Sequence, residues 1–169
     1  MNLAAAEALI ATIPDFPEPG VQFKDISPLL ADPAALRTVI AEVVAPFEGR
    51  FDVVAGIEAR GFMLAGAVAI AAGVGMVPIR KAGKLPRPAA SVSYDLEYGQ
   101  ATIEMSSDLP RGARVLLVDD ILATGGTLLA GQRLLADLGY ELAGTAVLME
   151  LEALGGRAVV GDVHSLFRI

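Results

Sequence analysis

The feature that most constrains this chain is the stretch VLLVDDILATGGTLLA, residues 115–130. An unbroken apolar run, Val115 to Val118, meets two adjacent acids, Asp119 and Asp120. It then turns through Thr124-Gly125-Gly126-Thr127 before becoming apolar again. A strand that is apolar at every position has both faces covered, the mark of a parallel strand inside an α/β sheet. Thr127 to Leu138 reads as the helix that follows, with Gly139 at its C-terminal stop. Ligands of such folds sit beyond the carboxyl ends of the strands, and Asp119 to Thr127 falls at such an end.

The rest of the chain agrees with that frame. Asp32-Pro33 reads as a helix cap followed by a first-turn proline. Leu36, Val39, Ile40, Val43, Val44 and Phe47 then recur at helical spacing and form one buried face. FDVVAGI (51–57) is a short buried strand, followed by the polar turn Glu58-Ala59-Arg60-Gly61. Phe62 to Ala72 is a buried helix, Gly73-Val74-Gly75 a break, and Met76 to Ile79 a strand. QATIEM (100–105) alternates and can pair with part of residues 81–99 as a hairpin. ELAGTAVLME (141–150) is a further strand. Strands alternating with helices imply an α/β domain with a mostly parallel central sheet flanked by helices.

Composition closes off several classes. A length of 169 residues suits one domain, and 54% hydrophobic residues fill a core without covalent staples. Cysteine is absent, so no disulfide, thiolate nucleophile or cysteine metal site is available. Gly61 to Ile79 carries no charge over nineteen residues, near the length of a membrane span. Its four glycines and Pro78 favour a broken, buried segment instead. The N-terminal MNLAAAEALIATI has no basic start and is interrupted by Glu7, so it does not read as a secretory signal. A cytoplasmic protein is expected. The net charge of −7 argues against nucleic acid as a partner. A small anion remains open where the surface is locally basic.

The central motif has a chemical reading. Consecutive strand residues point opposite ways, so Asp119 and Asp120 diverge and do not form a shared-proton dyad. They suit two jobs near one ligand, such as accepting hydrogen bonds from sugar hydroxyls. Ala123-Thr124-Gly125-Gly126-Thr127 runs into a helix start, where backbone N–H groups and hydroxyls favour phosphate. No lysine follows, so this is not a Walker A loop. A ribose 5-phosphate site fits these parts. An ordinary strand–turn–helix corner with Asp and Thr caps would use the same residues.

VLLVDDILATGGT resembles the signature of the type I phosphoribosyltransferases, which use phosphoribosyl pyrophosphate (PRPP). DFPEPGVQFKDISPLL, GIEARGF, IRKAGKLP, YDLEYG and VLMELEALGGR are similar to blocks of the family's adenine-using branch, and they come in the family's order. The resemblance implies a type I phosphoribosyltransferase fold, one domain over 1–169. A small N-terminal hood would come mainly from 1–30, with a mobile catalytic loop within 81–99. It implies transfer of a phosphoribosyl group from PRPP to adenine, giving AMP and pyrophosphate, in a homodimer. Mg²⁺ would be held mainly through PRPP and water, with no metal site of the protein's own.

The resemblance also implies roles, residue by residue. Asp119 and Asp120 would contact the ribose, and Ala123, Thr124, Gly125, Gly126 and Thr127 would cradle the 5-phosphate. Arg60 would face the pyrophosphate from a loop expected to carry a cis peptide at Glu58–Ala59. Arg80, Lys81 and Lys84 would add positive charge there. Glu97 would be the catalytic acid/base at the purine's imidazole edge, beside Tyr98 of the loop. Phe23 and Leu151 would sandwich the base, with Gln22 and Lys24 beside it; many family members have Arg in the place of Lys24. Oxopurine-using relatives carry Asp in the place of Ala123, which points to adenine. His164, the only histidine, reads as structural.

Overall fold

The computed structural model describes residues 1–95 and 99–169. The chain divides into two compact units, Met1–Glu42 and Val43–Ile169.

The first unit opens with α1 (Leu3–Glu7), capped by Asn2 Oδ1, which accepts the Ala5 N–H at 2.9 Å. β1 (Ala11–Pro14) and β2 (Gln22–Asp25) pair antiparallel, with Ile13 opposite Phe23. α2 (Ser27–Ala31) and α3 (Pro33–Val44) follow. The Asp32 carboxylate accepts the N–H groups of Ala34 and Ala35, each at 2.8 Å, as the Asp-Pro pattern predicts. Val39, Ile40 and Val43 are buried, while Leu36 and Val44 are half-buried. The α-helix stops at Val44, and the buried Phe47 lies on a 3₁₀ turn, Ala45–Phe47. Pro46 lacks the N–H that a further α turn would need.

The second unit is built on a seven-stranded sheet. Its elements are β3 (Val53–Ile57), α4 (Arg60–Ala72), β4 (Gly75–Lys81), β5 (Ala90–Asp95), β6 (Gln100–Met105), β7 (Arg114–Leu122), α5 (Gly126–Asp137), β8 (Glu141–Glu150), α6 (Arg157–Val160) and β9 (His164–Arg168). The strand order is β5-β6-β4-β3-β7-β8-β9. β4, β3, β7, β8 and β9 run parallel, and β6 is antiparallel to both β4 and β5. The mostly parallel sheet is therefore present, and the expected hairpin is β5–β6. Val115, Leu116 and Leu117 are fully buried at its centre. α4 packs on β3 and β7, and α5 on β5, β7 and β8.

Several element bounds differ from the sequence reading. α4 starts two residues earlier, at Arg60, and Gly73 ends it in the left-handed conformation (φ 70°). β4 extends to Lys81. Asp119 and Asp120 do not end β7: Ile121 and Leu122 continue the ladder opposite Met149 and Glu150 of β8. The long neighbouring strand supplies partners past the acids, which a local pattern does not reveal. α5 begins at Gly126. Among the described residues, no helix is long and apolar enough to cross a membrane, so Gly61–Ile79 divides into helix and strand as its glycines indicated.

Candidate active site

The end of β7, the following turn and the start of α5 enclose a cavity of about 90 Å³. Asp119, Ala123, Thr124, Gly125 and Thr127 line it. No side chain caps α5, so its first-turn N–H groups face the cavity's end of the helix without a side-chain acceptor. That arrangement favours an anion. The turn is also braced from behind. Gly125 takes φ 89°, and a Cβ there would lie 2.7 Å from the Gly156 carbonyl oxygen and 2.8 Å from Val160 Cγ2. A Cβ on Gly156 would lie 2.2 Å from the Ala123 carbonyl oxygen. Only glycine lets these two backbones approach so closely.

α6, which supplies that brace, is anchored through Arg157. Its guanidinium binds the buried Glu150 carboxylate at 2.5 and 3.0 Å and the Val163 carbonyl oxygen at 2.8 Å. The Ser165 hydroxyl donates to Glu150 as well. These contacts, Arg157 first, hold the Glu150 carboxyl below its ordinary pKa.

Asp119 and Asp120 are both buried. Asp119 Oδ1 accepts the Asp120 N–H at 2.8 Å. Burial, and secondarily the charge of Asp120, pushes the Asp119 pKa well up. Gly61 makes room for it: a Cβ there would lie 2.8 Å from Asp119 Oδ1. Asp120 does not line this cavity; its Oδ2 lies 3.0 Å from Arg60 Nη2. Arg60 is the first residue of α4, immediately after the Glu58–Ala59 peptide, which is cis.

Glu58 gathers the basic strip. Its Oε1 accepts from Lys84 Nζ at 2.6 Å, and its Oε2 accepts from the Lys81 N–H at 3.0 Å and from Arg80 Nε at 3.4 Å. Arg80 also donates to the Lys84 carbonyl oxygen at 3.1 Å, closing the turn. The Lys84 hydrogen bond is the main reason that the Glu58 pKa falls to about 2, against the opposing effect of burial. The Lys81 side chain is exposed. The structure thus brings Arg80 and Lys84 together around one carboxylate. Glu58 stands in a quoted motif, yet sequence reasoning gave a role only to Arg60.

Of the residues expected at the base, Phe23 lies on β2 in the first unit. Its ring meets Phe16 edge-on, with centroids 5.1 Å apart. Gln22 is exposed, and Lys24 Nζ donates to Thr12 Oγ1 at 3.0 Å. Leu151, half-buried, follows β8 in the second unit. Glu97 and Tyr98 lie outside the described residues. His164 packs edge-on against Phe47 at 5.9 Å. Sequence reasoning missed Tyr94, whose phenolic oxygen accepts from Thr127 Oγ1 at 3.1 Å. Tyr94 opens the block YDLEYG, in which sequence reasoning gave roles only to Glu97 and Tyr98.

A mostly parallel sheet whose central strand runs through a glycine turn into an uncapped helix start defines an α/β class suited to anionic ligands. The phosphoribosyl transferase domain family matches residues 25–161. This chain belongs to that family. The relatives it resembles are adenine phosphoribosyltransferases. The one from Mycobacterium sp. (strain KMS) is 50% identical over 166 residues, covering 96% of this chain and 95% of that one. The one from Renibacterium salmoninarum is 55% identical over 102 residues, 60% of this chain and 56% of that one. In the alignments with the relatives from Renibacterium salmoninarum, Nocardioides sp. and Arthrobacter sp., the chain spans 53–60% of the relatives' own length. The crystal structure of APRTase from Giardia lamblia, complexed with 9-deazaadenine, superimposes with a TM-score of 0.94. It is 46% identical and covers 100% of this chain and 98% of that one.

Proposed function

We propose that this chain is an adenine phosphoribosyltransferase, forming AMP and pyrophosphate from adenine and PRPP. The observation that carries the reading is the cavity at the end of β7, where Asp119, Thr124, Thr127 and an uncapped helix start converge. The choice of adenine is supported by the names of the relatives and by Ala123, which stands where oxopurine-using members carry an acid. The reading includes a single phosphoribosyltransferase domain, with the hood mainly from 1–30.

The reaction forms one bond and breaks another. A ring nitrogen of adenine attacks the anomeric carbon, the bond to the pyrophosphate oxygen breaks, and the nitrogen's proton leaves to a base. The α5 start and the hydroxyls of Thr124 and Thr127 anchor the 5-phosphate, so the anomeric carbon is held in place. Asp119 and Asp120 orient the ribose hydroxyls. Arg60, Arg80, Lys81 and Lys84 meet the charge that grows on the departing pyrophosphate. Glu97, next to Tyr98 in the sequence, takes the proton. The adenine-binding roles of Gln22, Phe23, Lys24 and Leu151 rest on the sequence resemblance.

Among the described residues, no group of three or more His, Cys, Asp or Glu could hold a metal ion. The acid pair and the threonine hydroxyls offer the oxygen atoms that Mg²⁺ takes, and the ion would arrive bound to PRPP and water. The ion would neutralise pyrophosphate charge.

A homodimer is supported by exposed apolar side chains in the second unit: Met63 and Ile70, seven residues apart on α4, and Met76 on β4. A cytoplasmic location accords with the lack of cysteine. The test of function is formation of AMP by the purified chain from adenine, PRPP and Mg²⁺. Binding of PRPP without turnover of any base would instead make the chain a PRPP sensor.

A further inference from the structure

Thr127 does not face the cavity alone. Its Oγ1 donates to the Tyr94 phenolic oxygen at 3.1 Å, across 33 residues of sequence. Tyr94 is half-buried on β5, and its ring packs against the core of the second unit. The ring also lies beside the first residue of α5: a Cβ on Gly126 would be 3.3 Å from Tyr94 Cδ2. The phenol is therefore held by packing while its oxygen reaches the phosphate turn.

A phosphate dianion only accepts hydrogen bonds, and Thr127 has one hydroxyl proton to give. To serve the phosphate, that proton must turn from Tyr94 to the ligand. The Thr127 oxygen then keeps lone pairs open toward Tyr94, whose own O–H rotates to donate back. A phenol can fill both roles, acceptor in one state and donor in the other; a benzene ring can fill neither.

We propose that Tyr94 is a positioning residue for the 5-phosphate. It accepts from the Thr127 hydroxyl in the free site and donates to the Thr127 oxygen once the phosphate is bound, which leaves the Thr127 proton for the anion. It acts through Thr127 and does not touch the substrate. This rests on the reading of the cavity as a 5-phosphate site.

The experiment is Tyr94→Phe in the full chain, which keeps the ring and removes the hydroxyl. Ribose 5-phosphate serves as the binding probe, followed by calorimetry, with steady-state kinetics alongside. Loss of one such hydrogen bond predicts affinity for ribose 5-phosphate about three- to tenfold weaker. The KM for PRPP should rise in step, and turnover at saturating PRPP should change less. In a Thr127→Val background the same substitution should weaken ribose 5-phosphate no further, because the relay is already broken. Unchanged affinity in Tyr94→Phe would overturn the proposal, as would a full additional loss in the Thr127→Val background. If Tyr94→Phe fails to fold, Thr127→Ser against wild type replaces it. Ser keeps the hydroxyl but not the rotamer restraint, so retained affinity supports a hydroxyl held by Tyr94 and a loss as large as that of Thr127→Val contradicts it. Failure of the wild-type chain to bind ribose 5-phosphate would contradict the underlying functional reading instead.

Discussion

Arg60 Nη2 stands 3.0 Å from Asp120 Oδ2, an oxygen buried without a hydrogen bond of good geometry. The pair ties β7 near its C-terminal end to the start of α4, so the acid proposed for the ribose and the arginine proposed for pyrophosphate meet directly. Neither group is positioned independently of the other.

Asp120→Asn tests that pairing. It keeps the size of the side chain and removes the charge that faces Arg60. Charge-assisted contacts of this kind contribute about 1.5–3 kcal/mol, so PRPP affinity should fall at least about tenfold. Calorimetric titration with PRPP checks it. Untouched affinity would remove Asp120 from the ribose assignment.

Asp119→Asn should separate stability from function. Burial and the Asp120 charge raise the Asp119 pKa in the folded chain. A folded value above the unfolded one means that the fold favours the protonated form. Stability from this group is therefore lost as pH rises from the ordinary carboxylate range through the raised value. Asn removes that penalty, and its Oδ1 still accepts the Asp120 N–H. The unfolding midpoint near neutral pH should rise by roughly 2–5 °C, while PRPP binding weakens. A lower midpoint would show that the charged form is needed for folding.

Glu58 runs the other way. Its folded pKa of about 2 lies below the ordinary 4.5. Its contribution is present in full above the ordinary value and is lost as pH falls toward 2. Glu58→Gln should thus be less stable than wild type near neutral pH, and the gap should close in acid. Denaturant melts across that range decide it. A pH-independent gap would mean that the charge of Glu58 does not organise Arg80 and Lys84.

Glu97→Gln should lower turnover by about 100-fold or more, the usual effect of losing a general acid or base. PRPP affinity should stay at the wild-type value. Equal turnover in the two proteins would take Glu97 out of the mechanism.

The site was legible where its signals were local. Val115 to Thr127 announces strand, acids, glycine turn and helix start in one run, because apolar continuity, glycines and a helix start each leave their own mark. The Asp32 cap was readable for the same reason. Contacts made across long sequence separations were not. Lys84 meets Glu58 over 26 residues, and Tyr94 meets Thr127 over 33. The close approach of Gly156 to the Ala123 carbonyl is of the same kind. The extension of β7 through Leu122 depends on β8, a strand that the local pattern does not contain.

The central claim is transfer of a phosphoribosyl group to adenine. Its most direct measurement is a competition in which the purified chain receives PRPP, Mg²⁺ and equal amounts of adenine, hypoxanthine and guanine. The account predicts AMP as the nucleotide product, with pyrophosphate released one for one. Nucleotide from hypoxanthine or guanine with none from adenine would contradict it.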